Sequence, residues 1–198
     1  MSSAFTLYIA RHGQTEANVA GRYPGHAETP LTALGRRQAR DIGRILLREL
    51  GPRPALTFVS SPLKRARTTM GLLREELGLP PDGFSVDARL LDIDHGDWTG
   101  FTGDKMRVRE PENFRLHTAD KWNVAMSGGE SYSQLAARVR SFLDDVTGDT
   151  VSVSHGATTQ MLRGLGTGLD RTHIPTLDEP QGYVFRMRGS VVERLDVR

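Results

Sequence analysis

The sequence predicts an α/β protein of three layers (α/β/α), in which a mainly parallel central sheet carries helices on both faces and a C-terminal hairpin lies at the sheet edge. Short apolar runs at residues 7–10, 55–59 and 150–153 have the length and composition of buried strands. Longer segments with apolar residues at helical spacing lie between these runs, as in chains that build a parallel sheet covered on both faces. The segments 182–187 and 191–197, separated by a glycine-containing turn, predict the hairpin.

The first predicted strand, residues 7–10, ends in a polar sequence that leads into a helix. Arg11 and His12 follow the strand directly, and Gly13 allows the backbone to turn sharply or to approach a ligand closely. Thr15 has the type and position of an N-cap residue. Because ligands bind at the carboxyl ends of the strands in open α/β sheets, the guanidinium and the imidazole here indicate an anionic, phosphorylated substrate.

A long amphipathic helix is predicted next. A loop rich in glycine and proline at residues 21–30 precedes it, and Thr32 is of the N-cap type. Apolar positions recur at helical spacing up to about Leu50, with arginines on the opposite face. Gly51 and Pro52 then end this helix.

The second predicted strand, residues 55–59, also leads directly into a helix. Ser61 can cap this helix, Pro62 fits its first position, and its pattern extends to about Leu77. Arg65 is therefore expected in the first helical turn, where the helix dipole attracts anions.

A third strand is predicted at residues 83–91, and it leads into a carboxylate-rich turn that contains Asp92 and Asp94. The pattern from residue 99 to residue 127 is mixed, with two short helical pieces. We interpret these residues as an excursion over the functional edge of the sheet.

The last α/β unit repeats the arrangement of the first. Ser131 is of the type that caps the amphipathic helix following it. The fourth strand, residues 150–153, is followed closely by His155 and Gly156, and a helix is predicted at 157–165.

Composition and charge exclude several classes of protein. The 198 residues contain no cysteine, which rules out disulfides and thiolate metal sites, and the net charge of +2 comes without a basic block of the kind that binds nucleic acids. No apolar run reaches membrane-spanning length, and residues 1–4 do not resemble the start of a signal peptide. We therefore expect a cytoplasmic protein with neither a membrane nor a nucleic-acid partner.

The sequence shows no linker and no internal repeat, so residues 1–198 are predicted to form a single domain of undetermined oligomeric state. Neither a metal nor a cofactor is predicted. The histidines interpreted as loop or surface residues, because their spacing is not that of metal ligands, are His26, His95, His117 and His173.

Functional groups from distant parts of the chain are expected to meet at one edge of the sheet. Parallel strands share a carboxyl edge, and two of the predicted strands lead to His12 and to His155. Arg65 opens a helix at this edge, and Asp92 or Asp94 follows another strand. Histidines, arginines and a carboxylate together suit phosphoryl transfer through a phosphohistidine, which needs a nucleophile, cations around the phosphoryl oxygens and an acid for the leaving oxygen.

Ordered motifs along nearly the whole chain resemble those of the histidine phosphatase superfamily, in the branch that includes the cofactor-dependent phosphoglycerate mutases. The motifs that carry this resemblance are Arg11-His12-Gly13-Gln14-Thr15-Glu16 with Asn18, Pro30-Leu31-Thr32, Ser60-Ser61-Pro62-Leu63-Lys64-Arg65-Ala66, Asp94-His95-Gly96-Asp97-Trp98, Gly128-Gly129-Glu130-Ser131 and Ser154-His155-Gly156.

The resemblance implies a role for each motif. His12 would be the nucleophile that accepts the phosphoryl group. The groups that would hold the phosphoryl oxygens are Arg11, Arg65 and His155, helped by Asn18 and the amide of Gly156. The family's proton donor is usually a glutamate, and the matching position here is Asp92, whose side chain is shorter by ~1.5 Å. Asp94 stays as the alternative donor. The expected substrate selectors are Arg22, Tyr23 and Pro24, together with Lys105, Arg107, Arg109 and Lys121.

We therefore expect a phosphomonoester hydrolase that acts on a small phosphorylated metabolite. Only 37 residues separate Asp92 from Glu130. The related mutases carry a longer insertion there, so the short segment favours an open site and hydrolysis. The alternatives are phosphoryl transfer of the phosphoglycerate mutase type and a non-catalytic protein that binds phosphorylated ligands. Sugar bisphosphates, α-ribazole phosphate and a broad range of phosphomonoesters remain alternative substrates.

Overall fold

The computed structural model describes residues 5–197. Residues 1–4, for which the sequence predicts no signal peptide, lie outside this range, as does residue 198. Within the described range, no helix combines the length and the apolar character that crossing a membrane requires.

Within residues 5–197 the structure contains six strands and seven α-helices. The strands are β1 (Thr6–Arg11), β2 (Thr57–Ser60), β3 (Ser85–Val86), β4 (Thr150–Ser154), β5 (Val184–Arg188) and β6 (Val191–Leu195). The helices are α1 (Glu16–Val19), α2 (Ala33–Leu50), α3 (Lys64–Glu76), α4 (Gly103–Arg109), α5 (Pro111–Ala119), α6 (Tyr132–Asp145) and α7 (Gly156–Thr167). Short 3-10 helices lie at Ala88–Leu90, Gly96–Trp98 and Ile174–Thr176.

All six strands belong to one sheet with the order β3-β2-β4-β1-β5-β6. The first four in this order run parallel, whereas β5 and β6 are antiparallel and form the hairpin at one edge. This arrangement confirms the predicted fold class. The single domain over residues 1–198 stays a prediction.

The side chains of β1 alternate between two apolar cores, one on each face of the sheet. Leu7 and Ile9 pack with residues of α6 and α7, whereas Tyr8 and Ala10 pack with residues of α2 and α3. None of these four side chains is more than 2% exposed. Because helices cover both faces, β1 is apolar at four consecutive positions, residues 7–10, rather than at every second one.

The third strand is the element whose predicted extent is wrong. Strand pairing is limited to Ser85–Val86, because the carboxylate of Asp87 accepts a hydrogen bond from the backbone N–H of Arg89 and starts a 3-10 helix. A second difference concerns α3, which begins at Lys64 after Leu63 and not at Pro62. Ser61, the predicted cap, accepts only a long 3.4 Å bond from the amide of Leu63 and has another partner, described below.

Candidate active site

The carboxyl edge of the parallel strands opens onto a cleft of about 440 Å³, here called the His12 cleft. The predicted site residues that line it are Arg11, His12, Asn18, Arg22, Tyr23, Pro24, Asp92 and Gly156. Arg65 and His155 are at most 1% exposed. They do not line the cleft, but both contact Asp92, which does. The structure thus brings together groups from β1, α3, β4 and the segment after β3.

His12 continues the ladder of β1 beyond its last residue, because its backbone N–H donates to the carbonyl of Ser154 at 2.9 Å. Its ring Nδ1 lies 2.8 Å from the carbonyl of Gly13, which can only accept, so this bond assigns the proton to Nδ1. The Nε2 lone pair is then free. Burial, together with the charges of Arg11 and Arg65, holds the pKa of His12 well below its usual value. The imidazole is therefore neutral near pH 7, as a nucleophile must be.

Gly13 is required here by the close approach of two backbone segments. A Cβ atom at this position would lie 2.1 Å from the carbonyl oxygen of Gly35, at the start of α2. The N–H of Gly13 donates to the hydroxyl of Thr69 at 3.1 Å. This contact with α2 and the bond to α3 fix the turn that carries His12.

His155 lies beside His12, with the two ring centroids 5.1 Å apart. Its Nε2 lies 2.7 Å from the hydroxyl of Ser61, which explains why this serine is not engaged as a strong helix cap. Its Nδ1 lies 3.8 Å from the Asp92 carboxylate and is buried without a hydrogen-bond partner. Burial, followed by the neighbouring His12 and arginine charges, lowers the pKa of His155 well below the usual histidine value.

Arg65 is oriented by backbone and side-chain acceptors. Its guanidinium donates to the carbonyl oxygens of Ala27 at 3.0 Å and Gly25 at 2.6 Å. It also donates to Asp92 Oδ2 at 3.1 Å. Its Nε is buried without a partner. The loop before α2 and the segment after β3 thus hold this cation rigidly at the back of the cleft.

Arg11 supplies the second guanidinium. Its Nη1 donates to the carbonyl of Glu179 at 2.6 Å and lies 3.2 Å from the carboxylate of the same residue. Its Nε is also buried without a partner. Arg11 and Arg65 therefore each have one buried N–H without an acceptor, and His155 has one buried ring nitrogen without a partner. Such groups near one cleft suit an anion with several oxygens.

The two candidate carboxylates have different surroundings. Asp92 lines the cleft, contacts Arg65 and is 8% exposed. Asp94 does not line it, and its Oδ1 instead accepts from the N–H of Gly96 at 2.9 Å. Of these two carboxylates, Asp92 is the one that lies at the cleft.

Arg138 of α6 fixes the segment that presents Asp92. Its guanidinium donates to the carbonyl oxygens of Arg89 and Leu91 at 2.8 and 2.9 Å, and to that of Asp92 at 2.8 Å. It also forms two bonds with the carboxylate of Glu130. Burial favours a raised pKa for Glu130, but the bonds from Arg138 outweigh it and the pKa is lowered. Arg138 thus anchors the backbone at Asp92 to α6.

The expected substrate selectors separate into two groups. Arg22 and Tyr23 line the cleft, and two hydrogen bonds connect this loop to Gly100. Arg22 Nη1 donates to the carbonyl of Gly100 at 2.9 Å, and the N–H of Gly100 donates to the carbonyl of Tyr23 at 2.7 Å. Asn18 is held at the cleft by a capping box with Thr15. The basic residues that do not line this cleft are Lys105, Arg107, Arg109 and Lys121.

Several residues of the site carry no signal that sequence reasoning used. Gln181 donates to the carbonyl of His12 at 3.1 Å and to Asn18 Oδ1 at 3.0 Å. Glu179 and Gln181 come from a loop without periodicity, so no pattern could have placed them at the cleft. Ser61 belongs to one of the motifs that carry the family resemblance. The sequence predicts it as a helix cap, whereas its hydroxyl contacts His155 Nε2.

Two of the histidines interpreted as loop or surface residues are buried, which corrects that interpretation. His95 and His117 are 8% and 7% exposed. His95 packs its ring against Tyr23, and His117 packs edge-on against Trp98. Among residues 5–197, no three histidine, aspartate or glutamate side chains are arranged to hold a metal ion.

The sequence and the fold are similar to those of known proteins. The family model described as histidine phosphatase superfamily (branch 1) matches residues 7–188. Phosphoserine phosphatase 1 of Hydrogenobacter thermophilus is 33% identical over 140 residues, which cover 71% of this chain and 63% of that protein. A 2,3-bisphosphoglycerate-dependent phosphoglycerate mutase of Methylobacterium sp. is 34% identical over 201 residues, covering 96% of both chains.

Among solved structures, a putative α-ribazole-5'-P phosphatase from Escherichia coli is similar to this chain in fold, with a TM-score of 0.86. It is 25% identical, and the match covers 98% of this chain and 97% of that one. The first curated relatives are longer proteins, of which the chain spans 63% and 56%. The resemblance inferred from the motifs is confirmed.

Proposed function

This chain belongs to branch 1 of the histidine phosphatase superfamily, and we propose that it hydrolyses small phosphomonoesters through a phosphohistidine on His12. The observation that carries the proposal is the state of His12: a buried, neutral imidazole whose Nδ1 is held by Gly13 and whose Nε2 is free at a cleft between two guanidinium groups. Such an imidazole suits nucleophilic attack on phosphorus.

In the first step, the Nε2 lone pair of His12 forms a bond to phosphorus while the bond between phosphorus and the alcohol oxygen breaks. Arg11, Arg65 and His155 donate to the phosphoryl oxygens as charge develops. The amide of Gly156, at the N-terminus of α7, adds a donor favoured by the helix dipole. Asp92 transfers a proton to the leaving oxygen, so the alcohol departs neutral.

In the second step, Asp92 acts as a carboxylate base. It takes a proton from water as the water oxygen attacks phosphorus, and the bond between phosphorus and His12 breaks. Inorganic phosphate leaves, and both side chains return to their starting states. The rigid contacts of Asp92 with Arg65 and of its backbone with Arg138 keep the carboxylate in one place through both steps.

Phosphatase and mutase activities use the same chemistry and differ in what accepts the phosphoryl group. The 37-residue segment between Asp92 and Glu130 is short, which favours water as the acceptor. Phosphoglycerate mutase activity is the second candidate, because a mutase aligns with nearly the whole chain. The relatives named after phosphoserine and α-ribazole-5'-P make small phosphorylated metabolites the substrate class proposed here. A cytoplasmic location and the absence of nucleic-acid and membrane partners stay predictions.

Phosphate release from p-nitrophenyl phosphate and from 3-phosphoglycerate tests the proposal. We expect both esters to be hydrolysed by the wild type, and His12→Ala to lose at least about a thousandfold in rate, as expected when a covalent nucleophile is removed. The matched control is His173→Ala, which removes an exposed loop histidine. Isomerised phosphoglycerate without phosphate release would support the mutase instead. Tight binding of phosphate without any turnover would support a non-catalytic binding protein.

A further inference from the structure

A second cavity of about 240 Å³, here called the aromatic cavity, lies beside the His12 cleft. The two spaces share a wall, formed by Tyr23, Ile93, His95 and Tyr132. Two of these residues, Ile93 and His95, follow Asp92 in the same segment of chain. Since the proposed acid must contact the leaving oxygen, the rest of the leaving alcohol begins next to this shared wall.

The lining of the aromatic cavity is mostly apolar and aromatic. Besides the shared residues, the apolar side chains that line it are Trp98, Met106, Phe114 and Met126. Trp98 and Phe114 both line the cavity, with ring centroids 5.9 Å apart, so a third ring placed there would meet aromatic side chains. Methionine side chains adapt their shape and make favourable contacts with aromatic rings.

Charged groups are scarce in this lining. Burial lowers the pKa of both His95 and His117, so these rings are uncharged near pH 7. Lys121 is the cation that lines the cavity, and it is half-buried. A second phosphate or a sugar would leave most of this lining without polar partners, whereas an apolar group would bury it.

The volume suits a single ring with a short linker. An apolar cavity of about 150 Å³ in another protein binds benzene, and the aromatic cavity exceeds that by enough to hold two or three further atoms. A ring placed here would be linked to a phosphate at His12 alongside the four residues that line both spaces.

Resting on the proposed function, we propose that the substrate is a phosphomonoester whose alcohol carries an aryl or similar planar apolar group, and that this group occupies the aromatic cavity. The phosphate then binds between Arg11 and Arg65, the ester oxygen lies at Asp92, and the ring contacts Trp98 and Phe114. The cavity thereby selects among phosphomonoesters that the His12 cleft alone would treat alike.

A matched pair of substrates tests the assignment. Ethyl phosphate and 2-phenylethyl phosphate both release a primary alcohol and differ by the ring. We expect kcat/KM for 2-phenylethyl phosphate to be at least about tenfold higher, the scale on which apolar pockets discriminate. The non-hydrolysable phosphonates in which CH2 replaces the ester oxygen, 3-phenylpropylphosphonate and propylphosphonate, should differ by a similar factor in Kd measured by calorimetry.

Two truncations of half-buried phenylalanines locate the effect. Phe114 lines the aromatic cavity, whereas Phe101 packs against the same core without lining it. In Phe114→Ala we expect the kcat/KM ratio of the two esters and the Kd ratio of the two phosphonates to fall to within about twofold of unity. In Phe101→Ala we expect both ratios to stay as in the wild type. Thermal unfolding of the two variants controls for a general loss of packing.

Equal kcat/KM for the two esters, or a preference that survives Phe114→Ala, would overturn the assignment. So would a preference for 3-phosphoglycerate that is lost in Lys121→Met, because the occupant would then be a carboxylate. If the wild type hydrolyses neither ester yet binds the aryl phosphonate more tightly, the hydrolase proposal fails while the cavity assignment stands. If it hydrolyses both without preference, the cavity assignment alone fails.

Discussion

Replacing Asp92 by asparagine removes proton transfer and keeps the size of the side chain. It also removes the negative charge and one accepted hydrogen bond, because Asp92 Oδ1 accepts from the N–H of Ile93 at 3.0 Å. The amide has nearly the size of the carboxyl group, and its oxygen can still accept the 3.1 Å hydrogen bond from Arg65. The backbone carbonyl of Asp92, held by Arg138 at 2.8 Å, is unaffected. The substitution therefore leaves the guanidinium at the back of the cleft in place and removes the transferable proton.

The size of the effect follows from the leaving group. General acid catalysis contributes about 10²–10⁴ in rate when the leaving oxygen is strongly basic, as in an alkyl phosphate. This corresponds to about 3–5 kcal/mol of transition-state stabilisation. A nitrophenolate departs with little help from an acid, so for p-nitrophenyl phosphate we expect kcat/KM, which reports formation of the phosphohistidine, to fall by less than about tenfold. For p-nitrophenyl phosphate, kcat and KM should fall together, since the second step lacks its base while Arg11 and Arg65 still bind the phosphate.

The assay is phosphate release from ethyl phosphate and p-nitrophenyl phosphate by the wild type, Asp92→Asn and Asp94→Asn. Asp94→Asn is the matched control. It replaces a carboxylate of the same segment that accepts from the N–H of Gly96 and does not line the cleft. An equal loss of kcat/KM on both esters in Asp92→Asn would refute proton donation by this residue. A selective loss on ethyl phosphate in Asp94→Asn would transfer the role to the alternative carboxylate.

Three further results are expected. Arg65→Met keeps a long side chain but removes the buried cation, so kcat/KM should fall at least about a hundredfold. Inorganic phosphate should also inhibit this variant much less than the wild type. An unchanged inhibition constant for phosphate would contradict this prediction. Arg138→Met leaves the carbonyl oxygens of the segment that ends at Asp92 without their donor, so kcat should fall about tenfold while KM stays unchanged. Arg138→Lys should partly restore kcat. A change confined to KM would show that Arg138 has a different role. His12 and His155 have folded-state pKa values well below that of the unfolded chain, so only the unfolded state gains their protons below about pH 6.5. The free energy of unfolding should then decrease as pH falls, by up to about 1.4 kcal/mol per pH unit for each histidine. Urea unfolding between about pH 7 and pH 5 measures this slope, which should be smaller in His155→Gln; an unchanged slope in that variant would contradict the burial argument.

The parts of the site that the sequence predicts are those carried by strand ends. Arg11, His12 and His155 follow strands of one parallel sheet, and parallel strands share a carboxyl edge, so the contact between distant residues follows from topology. The ring centroids of His12 and His155, 5.1 Å apart, agree with this reasoning. Asp92 is also brought to the cleft, although the strand before it is only two residues long.

The parts that it does not predict depend on backbone acceptors and on loops. Arg138 acts by donating to carbonyl oxygens, and no side-chain pattern records where a carbonyl points. Glu179 and Gln181 reach the cleft from an irregular loop, where neither period two nor period 3.6 gives information. Their positions follow only from the complete tertiary structure.

The most direct test of the central claim is to trap the covalent intermediate. Acid-labile phosphate bound to the protein should accumulate when a ³²P-labelled ester is mixed with the Asp92→Asn variant and quenched in alkali, because the missing base slows hydrolysis of the intermediate more than attack on a good leaving group. Peptide mass spectrometry should find the label on His12, and Asp92→Asn combined with His12→Ala should incorporate none. Label on another residue, or full turnover by His12→Ala, would contradict the account.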